Sequence, residues 1–211
     1  MSFDYIAIEG PIGVGKTTLA HRLSNALDAT LLLEEPADNP FLERFYANPR
    51  AWALSTQLSF LLQRARQLRD LEQGDLFRRT LVGDFMLAKD RIFAQLTLES
   101  DELALYEQVF EHVIERQHAP DAVIYLHAPV EVLLERIANR GIEYEQTIPP
   151  DYLLRLADAY QRFFTDAPPT RLLWVDAVAA DFVHRHEHLE RLVRRLDDLP
   201  IGRHYFDPAG S

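Results

Sequence analysis

The chain has 211 residues, a formal net charge of -11, 47% hydrophobic residues and no cysteine. The lack of cysteine excludes disulfide bonds and thiolate metal sites. No continuous apolar segment reaches the length of a transmembrane helix, and an acidic chain repels the phosphates of duplex nucleic acid. The first residues carry no basic segment typical of a signal peptide. We therefore expect one cytoplasmic domain, residues 1–211, that contacts neither membranes nor nucleic acid.

Short apolar runs alternate with longer helical patterns along the chain. Short buried runs separated by helices are typical of parallel strands in a three-layer α/β sandwich. The sequence therefore predicts an α/β fold with a five-stranded parallel sheet. The five runs are residues 5–8, 30–33, 80–82, 122–126 and 172–175.

A glycine-rich segment follows the first predicted strand. Residues 10–17 match the phosphate-loop pattern G-x-x-x-x-G-K-[ST] between a strand and a helix. In such a loop, backbone N–H groups and the positive end of the helix dipole surround phosphate oxygens. Lys16 would reach the β- and γ-phosphates, and the hydroxyl of Thr17 would bind Mg²⁺. The candidate residues for binding ATP are Gly10, Pro11, Ile12, Gly13, Val14, Gly15, Lys16, Thr17 and Thr18.

Acidic side chains follow the second and third predicted strands. Glu34 and Glu35 come after the second strand, and Asp84 comes after the third. Ligands of open α/β sheets bind beyond the carboxyl ends of the strands. Asp84 is the candidate to hold Mg²⁺ or to accept a proton. One of the two glutamates is the candidate general base toward an attacking hydroxyl, because neighbours on a strand point to opposite faces.

Two long helices are predicted after the second strand, over residues 49–73 and 101–118. Pro49 is tolerated in a first helical turn, and Pro120 ends the second helix. The tail, residues 200–211, is expected to be loosely ordered. The chain combines a phosphate loop with a single acidic domain and a long helical insertion after the second strand, and it lacks the guanine-reading motif Asn-Lys-x-Asp. This combination favours a small-molecule kinase.

Several motifs in the same order make the chain resemble the deoxynucleoside kinase family, in particular its bacterial deoxyadenosine/deoxyguanosine kinase-like branch. Residues 34–40, Glu-Glu-Pro-Ala-Asp-Asn-Pro, resemble the family motif E-x-x-x-D-N-P. That spacing selects Glu34 as the glutamate near the 5′-hydroxyl, whereas family members with Glu-Pro would select Glu35. The resemblance implies a P-loop kinase fold with a helical lid. It also implies Mg²⁺-dependent transfer from ATP to the 5′-hydroxyl of a purine deoxynucleoside or deoxycytidine, in nucleotide salvage.

The resemblance also implies the residues that bind the nucleoside. Tyr46 corresponds to the tyrosine that bonds the sugar 3′-hydroxyl, and Gln57 to the glutamine that pairs with the base edge. Arg64 and Asp90 occupy the spacing of an arginine and an aspartate that help to read deoxycytidine or purines. Because an aspartate accepts from an exocyclic amine and thymine has none, we predict discrimination against thymidine.

One segment departs from the commonest family pattern. Residues 84–89, Asp-Phe-Met-Leu-Ala-Lys, replace the family's Asp/Glu-Arg-Ser, so that Phe85 stands where an arginine is expected. Lys89 follows four residues later and would share a face with Phe85 on a helix. We therefore expect Lys89 to place a cation near the 5′-oxygen or the γ-phosphate.

Residues 136–147 resemble the family's lid, in which R-x-x-x-R-x-R precedes a glutamate. Arg136 and Arg140 match the first two arginines, and Ile142 replaces the third. Glu145 matches the glutamate that closes on the 3′-hydroxyl. Arginines on a mobile flap suit phosphoryl transfer because they balance charge on the transferring group and exclude water.

The resemblance extends to the region around residues 175–182, which corresponds to the family's loop over the adenine of ATP. It also implies a homodimer, because the long helices of family members pair across a two-fold axis. Two other functions stay open. One is a nucleoside monophosphate kinase such as thymidylate kinase, whose phosphate-bearing acceptor needs more cations. The other is a weakly active nucleotide-binding subunit that needs a partner, since two expected arginines are missing.

Overall fold

The structure is a computed structural model that describes residues 3–73, 80–115, 118–166 and 170–209. Within these residues six parallel strands form one sheet in the order β2-β3-β1-β4-β5-β6. The strands are β1 (Tyr5–Glu9), β2 (Thr30–Leu32), β3 (Leu81–Gly83), β4 (Ala122–His127), β5 (Arg171–Asp176) and β6 (Gly202–Phe206).

Eight α-helices accompany the sheet in the described part of the chain. They are α1 (Lys16–Leu27), α2 (Leu42–Ala47), α3 (Pro49–Gln73), α4 (Asp90–Thr97), α5 (Ser100–Ile114), α6 (Val130–Arg140), α7 (Pro150–Asp166) and α8 (His186–Asp197). Helix α1 packs against β1, β2, β3 and α8, whereas α4 packs against α3, α5 and α7. Buried side chains of both groups of helices join those of the strands in one hydrophobic core. The central strand β1 is fully buried, and β4 is buried except at His127. None of the described helices combines the length and apolarity that a membrane crossing requires.

The predicted α/β fold with a parallel sheet is confirmed, but the predicted number of strands is wrong. The sixth strand, β6, lies in the tail that was expected to be loosely ordered, and it pairs with β5. Its side chains alternate between exposed and more buried positions, ending with the buried Phe206. An edge strand with one solvated face has no continuous apolar run, so the pattern that identified the other strands is missing here.

The long helices follow the sequence pattern closely, with one difference at an end. Helix α3 begins at Pro49, as expected for a proline in a first turn. Helix α5 ends at Ile114, before the predicted end at residue 118, and residues 116–117 lie outside the described part of the chain. Its start is fixed by a capping box in which the side chains of Glu99 and Glu102 each accept a backbone N–H at the first turn.

The strand order brings three loops to one edge of the sheet. Strand β1 lies between β3 and β4, and β2 lies beside β3. The glycine-rich loop therefore leaves the sheet next to Asp84, which follows β3, and close to Glu34, which follows β2. In a parallel sheet this carboxyl edge is where ligands bind.

Candidate active site

The glycine-rich loop is pressed against the end of β4 and against α6. Gly10 has a φ of 147°, and a Cβ atom there would lie 2.3 Å from the carbonyl oxygen of Leu126. Gly13 has a φ of 83°, and its Cβ would lie 2.8 Å from the carbonyl oxygen of Leu133. Both the left-handed backbone and the close approach exclude larger side chains at these positions. The loop then enters α1 with Gly15 as the N-cap residue.

Lys16 and Thr17 begin α1 and face the carboxyl edge. The Lys16 ammonium donates to the carbonyl oxygens of Gly10, at 2.9 Å, and Pro11, at 3.3 Å. Burial lowers its pKa from the ordinary lysine value. The Thr17 hydroxyl donates to Asp84 Oδ2 at 2.6 Å, and Asp84 Oδ1 accepts the backbone N–H of Glu34 at 2.8 Å. A threonine and an aspartate in contact provide the hard oxygen ligands that Mg²⁺ prefers.

A cavity of about 760 Å³ opens on one side of the glycine-rich loop. The segment from Ala177 to His184 forms its other wall, so the loop that was predicted to cover adenine borders the same cavity as Thr18 and Lys16. Arg136 and Arg140 on α6 also line it. The Arg136 guanidinium donates to the carbonyl oxygen of Val14 at 2.9 Å and to that of Ala177 at 2.8 Å. Arg136 thus fastens the glycine-rich loop to the opposite wall of the cavity.

A second cavity, of about 330 Å³, lies on the other side of Lys16 and Thr17. The two cavities share Gly13, Lys16, Thr17 and Arg140. Aromatic side chains from α2, α3, α4, α7 and the segment after α6 supply much of its wall, which gives flat apolar surfaces suited to a ring-shaped ligand. They are Phe45, Tyr46, Phe60, Phe93, Tyr144 and Tyr152.

A row of buried and half-buried charges runs beside this second cavity. Glu34 Oε1 accepts from Arg64 at 2.5 Å and contacts the Lys89 ammonium, and Arg64 in turn pairs with Asp90. Burial would raise the pKa of the Glu34 carboxyl, but the cations of Arg64 and Lys89 outweigh burial and hold that pKa well below its usual range. Glu34 lines the cavity, whereas the neighbouring Glu35 is exposed and does not border it.

The predicted base-reading residues differ in their access to the second cavity. Gln57 and Arg64 line it, but Asp90 is 1% exposed and is not among the lining residues. Burial raises the pKa of Asp90 to about 6, although Arg64 opposes that shift. Among the described residues, three buried polar atoms near this wall lack a hydrogen-bond partner: Thr56 Oγ1, Arg64 Nε and Asp90 Oδ2. Thr56 and Arg64 line the cavity, whereas Asp90 is connected to it through its ion pair with Arg64.

The predicted sugar-binding residues also reach the second cavity. Tyr46 lines it and stacks on Tyr144, with ring centroids 5.5 Å apart. Glu145 lines it from the 3₁₀ turn after α6, and its carboxylate pairs with Arg140. Residues 136–147 therefore contribute to both cavities: Arg140 lines both, and Tyr144 and Glu145 line the second.

The prediction that Phe85 and Lys89 share a helical face is wrong in its geometry. Phe85 lies in an irregular segment and is fully buried, and Lys89 ends a short 3₁₀ turn that runs from Leu87. The Lys89 side chain nevertheless reaches the second cavity, where its ammonium contacts Glu34. The 3₁₀ turn, rather than an i,i+4 helical spacing, carries the cation to this position.

Glu9, the last residue of β1, is a buried acid that the sequence interpretation did not include. Its carboxylate accepts the backbone N–H of Met86 at 2.6 Å and lies 3.9 Å from the Lys89 ammonium. Tyr160 of α7 donates to its other oxygen at 3.3 Å. Burial raises the pKa of Glu9 to about 7, although Lys89 and other cations oppose the rise. A glutamate directly before the first glycine of the glycine-rich loop, at the end of an apolar strand, was the available signal.

Comparison with known proteins places these features in a family. The sequence profile of the family described as "Deoxynucleoside kinase" matches residues 6–199. A deoxyguanosine kinase of Bacillus subtilis (strain 168) is 34% identical over 202 residues, covering 93% of this chain and 98% of that protein. A deoxyadenosine kinase of Dictyostelium discoideum is 32% identical over 181 residues, covering 82% of this chain and 74% of that protein.

Solved structures show the same architecture. A deoxyadenosine kinase from M. mycoides with products bound superposes with a TM-score of 0.79 at 23% identity, covering 92% of this chain and 98% of that one. The same enzyme with bound dCTP gives a TM-score of 0.77 at 25% identity, again covering 92% and 98%. The chain therefore shares its overall fold with these solved structures.

Proposed function

The chain belongs to the deoxynucleoside kinase family and is a deoxynucleoside kinase, and from that premise we propose that it transfers the γ-phosphoryl group of ATP to the 5′-hydroxyl of a purine deoxynucleoside or of deoxycytidine. The observation that carries the proposal is the junction of two cavities at Lys16 and Thr17. One cavity is bordered by the phosphate loop and the other by aromatic side chains. A phosphoryl group held at the junction has an acceptor site directly beside it.

The first cavity is the proposed ATP site. The phosphate loop surrounds the phosphates with backbone N–H groups, and Lys16 binds the β- and γ-phosphates. In the structure Lys16 donates to two carbonyl oxygens of its own loop, so its ammonium lies beside the backbone that is proposed to hold phosphate. The adenine lies toward the segment from Ala177 to His184.

Thr17 and Asp84 are the proposed residues that hold Mg²⁺, directly or through water. Their side-chain oxygens are 2.6 Å apart and belong to the residue types that Mg²⁺ prefers. When bound, the ion supplies charge neutralisation between the phosphates of ATP. Asp84 also accepts the N–H of Glu34, so the same aspartate aligns the residue that meets the acceptor.

Glu34 is the proposed general base toward the 5′-hydroxyl. Its carboxylate is ionised at neutral pH because two cations lower its pKa, and it therefore accepts a hydrogen bond from the hydroxyl. The 5′-oxygen forms a bond to the γ-phosphorus while the bond from that phosphorus to the β,γ-bridging oxygen breaks. The hydroxyl proton passes to Glu34 as the new bond makes it acidic, and ADP leaves. Arg136, Arg140 and Lys89 balance the charge on the moving group.

The second cavity is the proposed nucleoside site. Gln57, Arg64 and Asp90 read the base, and Tyr46 and Glu145 hold the 3′-hydroxyl. Support comes from the aromatic walls, which suit a planar base, and from the buried polar atoms of Arg64 and Asp90 that lack partners in the described structure. Arg64 Nε–H is a donor and Asp90 Oδ2 is an acceptor. A base with an exocyclic amine satisfies the acceptor, whereas thymine has no such amine, so thymidine is expected to be a poor substrate.

A homodimer is the proposed assembly. Leu62 on α3 and Leu105 on α5 are 53% and 49% exposed, and these two helices pack side by side. Such exposed apolar side chains on adjacent helices are suited to contact with a second copy of the chain. The mass of the purified protein in solution is the direct check.

Glu34→Gln tests the proposed reaction, with the neighbouring Glu35→Gln as the matched control. Removing the carboxylate at residue 34 should lower turnover by at least about 100-fold, because a positioned general base is lost. ATP binding should be retained, since Glu34 does not line the first cavity. Initial rates and equilibrium ATP binding measure the two effects. If Glu34→Gln keeps substantial turnover and Glu35→Gln does not, the general base is misassigned.

A further inference from the structure

Gln57 is held by a neighbour outside the substrate-binding set, Thr97 at the end of α4. The Gln57 side-chain nitrogen Nε2 lies 3.3 Å from Thr97 Oγ1. The Thr97 hydroxyl lies 2.7 Å from the carbonyl oxygen of Phe93, four residues earlier on the same helix. Gln57 itself is 3% exposed and lines the second cavity, so its amide is nearly enclosed.

These two contacts fix which end of the amide faces Thr97. The carbonyl oxygen of Phe93 accepts hydrogen bonds and has no proton to give, so the single hydroxyl proton of Thr97 is used in that contact. Thr97 Oγ1 is then only an acceptor toward Gln57. The amide group beside it must be the NH₂ end, because a carbonyl oxygen in that place would face another acceptor. The order of oxygen and nitrogen in the Gln57 amide is therefore set by the protein.

A fixed amide has a consequence for the choice of base. Position 6 of a purine carries a donating amine in adenine and an accepting oxygen in guanine. An amide that turns over by 180° can pair with either group, since it offers a donor at one end and an acceptor at the other. An amide held in one orientation offers only one of them, and the mismatched base leaves a buried polar group unpaired.

We infer that Thr97 is a positioning residue that makes Gln57 discriminate between deoxyadenosine and deoxyguanosine. This inference rests on the proposed function, in which Gln57 meets the base edge. Thr97 is not one of the residues that line the second cavity, so it acts through Gln57 rather than by touching the substrate.

The test compares Thr97→Val with Thr97→Ser. Valine has the shape of threonine without the hydroxyl, whereas serine keeps the hydroxyl. The ratio of kcat/KM for deoxyadenosine to kcat/KM for deoxyguanosine is measured for wild type and both variants at saturating ATP. Wild type should favour one purine by about tenfold or more, since a well-made polar pair discriminates to this extent. Thr97→Val should move the ratio toward one by about fivefold or more. Thr97→Ser should keep the wild-type ratio.

A double-variant comparison separates this role from a general effect on folding. In a Gln57→Leu background, Thr97→Val should leave the purine ratio unchanged, because the amide on which Thr97 acts is gone. The KM for ATP should be the same in all variants. Thr97→Ala provides a second removal of the hydroxyl if the valine variant does not fold.

Other outcomes overturn the inference. An unchanged ratio in Thr97→Val, an equal loss of kcat/KM for both purines, or a wild-type enzyme that uses both purines equally would each show that Thr97 does not set the choice. A wild-type protein that phosphorylates no nucleoside would instead contradict the proposed function, and the inference would fail with it. Failure of the inference alone leaves wild-type turnover intact, so the two failures are distinguishable.

Discussion

At the scale of single residues, the charges beside the second cavity alternate in sign. Glu9, Lys89, Arg64 and Asp90 are buried and form, with the partly exposed Glu34, a row in which each member lies beside one or two of opposite sign. Buried charges are costly unless they are paired, and removal of one member leaves its neighbours uncompensated. The row therefore holds Glu34 in one place and keeps its carboxylate ionised, which is the state that a hydroxyl acceptor requires.

Lys89→Met tests the proposal that the Lys89 ammonium supplies a cation at the reacting centre. The variant keeps an apolar side chain of similar length but removes the ammonium that contacts Glu34. We expect turnover to fall by about 100-fold, as for the loss of an electrostatic group at a reacting centre. Steady-state rates at saturating ATP and nucleoside provide the measurement.

Arg91→Met is the matched control for Lys89→Met, because Arg91 is a cation on the adjacent α4 that pairs with Glu107 instead of Glu34. Its turnover should stay close to that of wild type. Thermal unfolding of both variants checks that they fold. Unchanged turnover in Lys89→Met would show that the ammonium has no part in the reaction.

Sequence motifs named most of the residues that line the two cavities, but not the contacts between them. The phosphate loop is defined by spacing alone, which is why Lys16 and Thr17 could be assigned before the structure. Physical reasoning from the sequence could not decide whether Glu34 or Glu35 faces the site. The choice depends on contacts of Glu34 with Arg64 and Lys89, which are 30 or more positions away along the chain. Glu9 was missed for the same reason, because its partners lie on segments distant in sequence.

At the scale of elements, helix α6 connects the two walls of the proposed ATP site. Arg136 on this helix donates to the phosphate loop through Val14 and to the opposite wall through Ala177. Gly13 packs closely on the same helix, near Leu133. The position of α6 therefore decides both the shape of the phosphate loop and the width of the cavity.

Arg136→Gln should raise the KM for ATP by about tenfold, because two charge-assisted hydrogen bonds are lost. The KM for the nucleoside should change little, since Arg136 does not line the second cavity. Substrate titrations of each ligand in turn separate the two constants. Arg194→Gln, at an exposed arginine of α8, is the control. A similar change in both KM values, or no change in either of them, would contradict this role for Arg136.

The elements themselves were predictable where burial leaves a clear pattern. Strands β1, β4 and β5 are buried along most of their length and appear in the sequence as continuous apolar runs. Strand β6 has no such run, since Arg203 and Tyr205 face solvent, and its pairing with β5 became visible only in the structure. The early end of α5 at Ile114 was also not predictable, because the apolar spacing alone does not mark the last turn.

At the scale of the whole molecule, the buried acid Glu9 should affect stability as a function of pH. Its pKa is raised from 4.5 to about 7 in the folded protein. A raised pKa means that the folded state holds a proton that the unfolded state has released. This contribution to stability is fully present below pH 4.5 and is lost as the pH rises to about 7.

Glu9→Gln removes this titration and keeps a side chain of the same shape. The free energy of unfolding of the variant, relative to wild type, should therefore increase with pH, by up to about 3 kcal/mol between pH 4.5 and 7. Chemical denaturation at several pH values measures this difference. Glu135→Gln, at an exposed position on α6, should show no such trend. A difference between Glu9→Gln and wild type that does not vary with pH would show that Glu9 titrates normally.

The central claim is that the two joined cavities bind ATP and a nucleoside with an exocyclic amine or a purine ring. The most direct test is the initial rate of ATP-dependent phosphorylation of deoxyadenosine, deoxyguanosine, deoxycytidine and thymidine by the purified protein, with and without Mg²⁺. We predict magnesium-dependent turnover of a purine deoxynucleoside or deoxycytidine, with thymidine a poor substrate. Thymidine as the best substrate would contradict the roles of Gln57, Arg64 and Asp90, and turnover of none of the four would contradict the proposed reaction.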